Sequence, residues 1–138
     1  ELRARFLGFA RHLRGGLGSF GIAATEVAWL HSQPWLDQVL AYLEANRELL
    51  AGFIATELPG VRYFRPEATY LAWLDCRELD LPPCPYQFFL DRAKVALSDG
   101  AAFGDPGRGF VRLNFATSRQ ILSEALERMA EALRERRS

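Results

Sequence analysis

Gly109-Phe-Val-Arg-Leu-Asn-Phe-Ala116 is the stretch from which the rest of the chain can be read. Successive side chains of a strand point to opposite faces, so Val111, Leu113 and Phe115 fall on one side and Phe110, Arg112 and Asn114 on the other. The first set is wholly apolar, which predicts a strand over Phe110–Phe115 with one face on a core. Ser118 then stands where an N-cap is needed. The spacing beyond it predicts a closing helix through Leu133, with Glu124, Glu127 and Arg128 on its wet face.

Working back from that strand, Gly100–Gly109 reads as a glycine-rich loop, and such a loop between strands is more often a tight backbone turn than an anion site. Val95–Leu97 reads as a short strand, Tyr86–Ala93 as a helix, and Pro82, Pro83 and Pro85 as an exposed connection. Val61–Phe64 and Thr69–Asp75 alternate and flank Pro66, so they predict a hairpin or an adjacent strand pair. Upstream the period becomes helical. Leu36, Val39, Leu40, Leu43, Leu50, Phe53 and Ile54 mark a long helix from Pro34 to Leu58, with Ser32 two residues before its early proline and Pro59-Gly60 at its end. Ile22–Leu30 is a second helix, apolar nearly all round, with Ser19 as its cap; a helix of that kind is expected to be buried in something larger. Leu2–Leu13 is a short amphipathic helix, and Gly15, Gly16 and Gly18 interrupt it. These elements predict an α+β fold, in which a small, mainly antiparallel sheet of three or four strands is covered by helices and preceded by a long helix.

Composition narrows the partners. With 138 residues, 49% of them hydrophobic, the chain can build one sizeable core. Basic and acidic residues balance at 17 each, which leaves no net field for a polyanion, so nucleic acid and anionic membrane surfaces are not expected partners. No long uncharged apolar run and no signal peptide are present, and the reading is of a soluble, cytoplasmic protein. Cys76 and Cys84 lack the spacing of a zinc knuckle and the density of a disulfide scaffold, and are read as reduced thiols. The chain starts at Glu1 with an amphipathic helix already in progress, which suggests a piece of something longer.

Arg112 is the most informative candidate. A guanidinium in the middle of a strand carries a desolvation cost that an anion must offset. Two readings stand side by side: an internal pair with Asp75, Glu67 or Asp99, or a bidentate clamp for a ligand carboxylate, for which arginine is better shaped than lysine. Gly16-Leu-Gly18-Ser-Phe-Gly21 formally matches a dinucleotide fingerprint, but a helix precedes it where a strand is required, so it reads as a helix-breaking connection. Lys94, the sole lysine, ends a polar helix face after Asp91 and Arg92 and is read as solvated rather than nucleophilic. His12 and His31 lack a second ligand at useful spacing; no metal site or catalytic triad is expected.

Three blocks then carry a resemblance: Pro66-Glu-Ala-Thr-Tyr-Leu-Ala-Trp-Leu-Asp-Cys76, Val95-Ala-Leu-Ser-Asp-Gly-Ala-Ala-Phe-Gly104 and Gly109-Phe-Val-Arg-Leu-Asn-Phe-Ala116. In this order and at these intervals the chain resembles the C-terminal small domain of class I and II aminotransferases of fold type I, and within them the cystathionine beta-lyase-like carbon-sulfur lyases. The similarity continues through the helix Pro34–Leu58. The resemblance implies that residues 1–33 are the tail end of a large cofactor-binding domain, 34–58 an interdomain helix, and 59–138 the small domain. It implies that Arg112 binds the α-carboxylate of an amino-acid substrate and that Tyr70 approaches the substrate end of the cleft, though a core or hinge tyrosine fits that position equally. It places Arg14–Phe20 at the interface of a homodimer.

The cofactor implied is pyridoxal phosphate, held by the full-length enzyme. The family's Schiff-base lysine, pyridine-nitrogen aspartate and phosphate-cradling residues have no counterpart in this sequence, so the chain alone is expected neither to hold the cofactor productively nor to catalyse. For the parent enzyme the expectation is β-elimination of a sulfur-containing amino acid such as cystathionine, with transamination second. The rival reading is a free-standing, non-enzymatic α+β module that binds a small carboxylate or a partner protein.

Overall fold

A computed structural model describes residues 1–9, 16 and 18–137. The chain divides into two units, Glu1–Val39 and Leu40–Ser138.

The first unit contains α1 (Leu2–Leu7), α2 (Ser19–His31) and the opening turns of α3 (Gln33–Glu57). The expected first helix is shorter than its apolar pattern, and residues 10–13, which would have extended it, lie outside the described residues. Ser19 is not the cap of α2. Gly18 takes that position with an extended backbone, and Ser19 is the first helical residue. Nor does α2 have a buried residue: Phe20 is 91% and Trp29 86% exposed, so the larger body in which its all-round apolarity is expected to be buried is not among the described residues of this unit. Within this unit α1, six residues long, is too short to enclose it.

The second unit holds the sheet. β1 (Arg62–Tyr63), β2 (Leu71–Asp75), β3 (Ser98–Asp99) and β4 (Phe110–Asn114) form one four-stranded sheet in the order β1-β2-β4-β3, every neighbour antiparallel. The fold is α+β, as the sequence implies. Val61–Phe64 and Thr69–Asp75 do pair as neighbours, over shorter spans than their alternation covers. Ala72, Leu74, Val111, Leu113 and Phe115 form the buried face. They share one core with Leu50, Ile54 and Leu58 of α3, with Phe88 and Phe89, and with Leu122, Leu126 and Met129 of the closing helix. That helix, α5 (Arg119–Arg137), begins where Ser118 predicts: the Ser118 hydroxyl accepts the Ile121 N–H at 3.3 Å. It then runs past Leu133.

Asn46 ties α3 to the exit of β4. The side chain is fully buried, and its Nδ2 donates to the carbonyls of Phe115 at 3.0 Å and Thr117 at 2.9 Å. Two backbone acceptors that have left the sheet ladder are thereby satisfied.

Two local expectations change. The helix read over Tyr86–Ala93 is α4 (Pro85–Phe88), with proline in its first turn, continued by a π-helical turn over Phe89–Ala93. Lys94 then takes a left-handed backbone at φ 56°, and the Val95 N–H turns back to the Phe89 carbonyl at 3.1 Å. Val95–Leu97 is therefore not a strand, and pairing starts only at Ser98. Among the described residues no helix is long and apolar enough to cross a membrane.

Candidate functional site

The face of the sheet opposite the core carries Leu71, Trp73, Asp75, Phe110, Arg112 and Asn114, as period-two alternation requires. Register sets Arg112 opposite Trp73 on one side and opposite Ser98 on the other. A loop folds back over this face. Asp99 accepts the Ala101 N–H at 3.1 Å and opens a 3-10 turn over Gly100–Phe103; a second such turn, Asp105–Gly107, follows. The two turns meet backbone to backbone. A Cβ on Gly100 would lie 2.2 Å from the Gly107 carbonyl oxygen, and one on Gly107 2.1 Å from that of Gly100, so only glycine fits either position.

This turn delivers Phe103 to the sheet. The Arg112 guanidinium lies 4.5 Å from the centroid of the Phe103 ring, and its Nη2 donates to the Ser98 hydroxyl at 3.4 Å. Phe103 meets Trp73 edge to face at 5.6 Å, Trp73 stacks on Phe110 at 5.5 Å, and the Arg77 guanidinium covers Phe110 at 4.7 Å. A continuous ladder, Arg77–Phe110–Trp73–Phe103–Arg112, thus crosses the open face.

None of the acids proposed from the sequence pairs with Arg112. Asp75 is buried and its carboxylate is taken by Arg77. The bond to Arg77 holds the Asp75 carboxyl below its ordinary range against the opposing effect of burial. Asp99 spends an oxygen on its own turn, and Glu67 is exposed. Among the described residues no carboxylate stands within ion-pair distance of half-buried Arg112. With one hydroxyl partner and one ring, the guanidinium retains N–H donors that can take a carboxylate in fork geometry.

Tyr70 sits beyond the Asn114 end of β2, 46% exposed, and its carbonyl accepts the Phe115 N–H at 3.0 Å. The structure does not join its side chain to Arg112. Its neighbour Thr69 has φ 68°, rare for a β-branched residue, and its hydroxyl accepts the Leu71 N–H at 3.3 Å. The segment before it is tied to α3, where Arg47 Nη1 donates to the Pro66 carbonyl at 2.5 Å and Arg65 meets Glu44 and Glu48.

Sequence reading missed Thr69 and Phe103. The strain at Thr69 is a backbone fact with no residue signature. Phe103 joins the site through a loop, although Trp73 and Phe110 are legible as face-mates of Arg112 by alternation alone.

The remaining candidates do not join the Arg112 ladder. Lys94 is exposed at the end of the π-helical turn, and His31 is exposed on α2. The glycine motif holds the N-cap of α2, and nothing lies within 4 Å of a Cβ built on Gly16, Gly18 or Gly21, so no close backbone approach requires these glycines. His12, and Arg14, Gly15 and Leu17 of the expected interface loop, lie outside the described residues. Among the described residues no group of three metal-ligating side chains occurs.

Comparison with known proteins bears on this face. No family model matches the chain. Cystathionine beta-lyase PatB of Bacillus subtilis is 38% identical over 133 residues, which cover 95% of this chain and 34% of PatB. The cystathionine beta-lyase of Corynebacterium glutamicum is 38% identical over 125 residues, 87% of this chain and 32% of that protein. Among solved structures, the pyridoxal-phosphate-bound C-S lyase of Staphylococcus hominis superposes with a TM-score of 0.79 at 32% identity, covering 86% of this chain and 32% of the lyase. The chain spans about a third of the length of the curated relatives it matches. On sequence and fold together, its homologues are cystathionine beta-lyases and pyridoxal-phosphate-dependent C-S lyases of the fold type I aminotransferase kind, of which it matches a part.

Proposed function

We propose that this chain is the C-terminal, substrate-carboxylate-binding part of a pyridoxal-phosphate-dependent C-S β-lyase acting on a sulfur-containing amino acid of the cystathionine type. In this reading residues 1–33 end the large cofactor-binding domain, 34–58 form the interdomain helix and 59–138 the small domain of a cytoplasmic homodimer. The observation that carries it is Arg112: a half-buried guanidinium on the open face of the sheet, held by a ring and a hydroxyl, with no carboxylate partner among the described residues.

The chain's own residues do not fit the cofactor. Its sole lysine is solvent-exposed at the end of a helical turn, beside Glu124 and Arg128 at a surface hollow, and is not desolvated as a Schiff-base amine is. Pyridoxal phosphate, the electron sink of the family, would be held by other parts of the full-length protein. What these residues contribute is orientation. Arg112 takes the substrate carboxylate in a bidentate grip, which fixes the amino acid about one end and excludes rotations that would misplace its reacting carbon. Tyr70, which is exposed, would approach the substrate end of the cleft, as the family resemblance implies.

The test is Arg112→Ala in the full-length enzyme with L-cystathionine. A charge-assisted carboxylate contact contributes about 1.5–3 kcal/mol, so kcat/KM is expected to fall roughly ten- to hundredfold. An unchanged kcat/KM in a folded, cofactor-loaded variant would discard the clamp. The isolated chain, incubated with pyridoxal phosphate, is expected to show no Schiff-base absorbance and no lyase activity.

A further inference from the structure

The geometry points to Phe103 as a positioning residue for Arg112, one that fixes the guanidinium for its carboxylate without consuming any of its N–H donors. The inference rests on the clamp reading of Arg112.

A long arginine side chain loses rotamer freedom when it binds a ligand, and affinity rises when that freedom is removed beforehand. The usual restraint is a neighbouring acid, which both orients the fork and occupies it. Here Asp75 is committed to Arg77. Phe103 supplies the alternative: a ring 4.5 Å from the guanidinium attracts the cation electrostatically yet accepts no strong hydrogen bond. Ser98, opposite Arg112 in register, takes one Nη2 proton. Restraint by a ring and a hydroxyl leaves the fork open to a carboxylate.

Phe103 can act this way because it is itself held. The edge of its ring contact with Trp73, at 82° between planes, passes support along the ladder to Phe110 and Arg77. From below, the glycine-to-glycine contact of Gly100 and Gly107 fixes the turn that carries it. Its ring is 54% exposed, so it contributes little to the core, and a role in folding does not explain its placement.

The experiment uses the full-length, cofactor-loaded protein. Binding of L-alanine and of L-alanine methyl ester, which lacks the carboxylate, is measured by calorimetry for the wild type, Phe103→Leu, Phe103→Trp, Arg112→Ala and the Phe103→Leu/Arg112→Ala double variant. Leucine keeps apolar bulk but has no aromatic face. The expected result is an L-alanine affinity about three- to tenfold weaker in Phe103→Leu, with the ester unaffected and the melting temperature unchanged. Phe103→Trp restores the affinity, and the double variant binds no more weakly than Arg112→Ala. If Arg112→Ala weakens L-alanine selectively while Phe103→Leu weakens neither ligand, or both equally, or adds its full effect to Arg112→Ala, the positioning role is overturned and the clamp stands. If Arg112→Ala leaves both ligands unchanged, the clamp itself fails.

Discussion

Arg77 engages both carboxylate oxygens of Asp75: Nε donates to Oδ1 at 2.9 Å and Nη2 to Oδ2 at 2.8 Å, and the Arg77 backbone N–H reaches Oδ1 as well, at 3.1 Å. Asp75 lies on the same sheet face as Arg112, opposite Phe110 in register, and would otherwise be the nearest acid in the strand pair. The local fork-to-carboxylate bond with Arg77 wins because it closes over two residues with little chain entropy to lose. One arginine is thereby neutralised at the end of the ladder, and the other is left with its donors available.

The same pair sets a pH dependence. The bond to Arg77 lowers the Asp75 carboxyl below its ordinary value of 3.8 despite burial. A carboxyl depressed in the folded state contributes stability that is present above its unfolded value and lost as pH falls through its folded value. Urea unfolding followed from about pH 5 down to about pH 2 is expected to lose stability more steeply in the wild type than in Asp75→Asn, whose side chain does not titrate. Equal slopes would contradict this account of the pair.

Asn46 should be sensitive out of proportion to its size. Replacing it with leucine leaves the carbonyls of Phe115 and Thr117 without their donor inside the protein. The expected cost is about 1–3 kcal/mol of unfolding free energy by denaturant titration, since buried acceptors lose their partner and gain no water. The loosened segment begins one residue after β4, so local hydrogen exchange should rise at Phe115–Thr117 first.

Gly100→Ala and Gly107→Ala each drive a methyl group into a backbone carbonyl, at 2.2 Å and 2.1 Å respectively. The turns must separate, at an expected cost of about 1–3 kcal/mol. Phe103 rides on the first turn, so both variants should also weaken amino-acid binding. An alanine at Gly52, exposed on α3 where a Cβ meets nothing within 4 Å, serves as the control that should not destabilise.

The two thiols should separate in labelling. Burial pushes the Cys76 thiol up to about 12, with the neighbouring Asp75 charge acting in the same direction, whereas Cys84 is only partly buried. At about pH 8 iodoacetamide is expected to modify Cys84 in the folded protein and Cys76 only after denaturation, as peptide mass analysis can resolve.

How much of this was legible depended on whether a feature is local. The strand of Arg112 and the helix after Ser118 follow from alternation and a cap, both fixed within a few residues, and the structure has them where the sequence puts them. The strand expected at Val95–Leu97 failed for a reason no apolar count contains: Lys94 adopts a left-handed backbone and sends the next N–H back to Phe89. The all-round apolarity of α2 says that the helix needs a partner and not which one, and no described residue of its unit encloses it. Around Arg112, alternation placed Trp73 and Phe110 on the right face, but Phe103 arrives through a loop closed by two glycines, a non-local contact that spacing does not encode.

Where a substrate carboxylate goes can be seen in a crystal structure of the full-length protein with a bound amino-acid substrate analogue. Both carboxylate oxygens are expected to accept from the Arg112 guanidinium at about 2.7–2.9 Å, with the Phe103 ring still on that guanidinium. A carboxylate bound elsewhere, with Arg112 turned to solvent or to an acid of the large domain, would contradict the clamp.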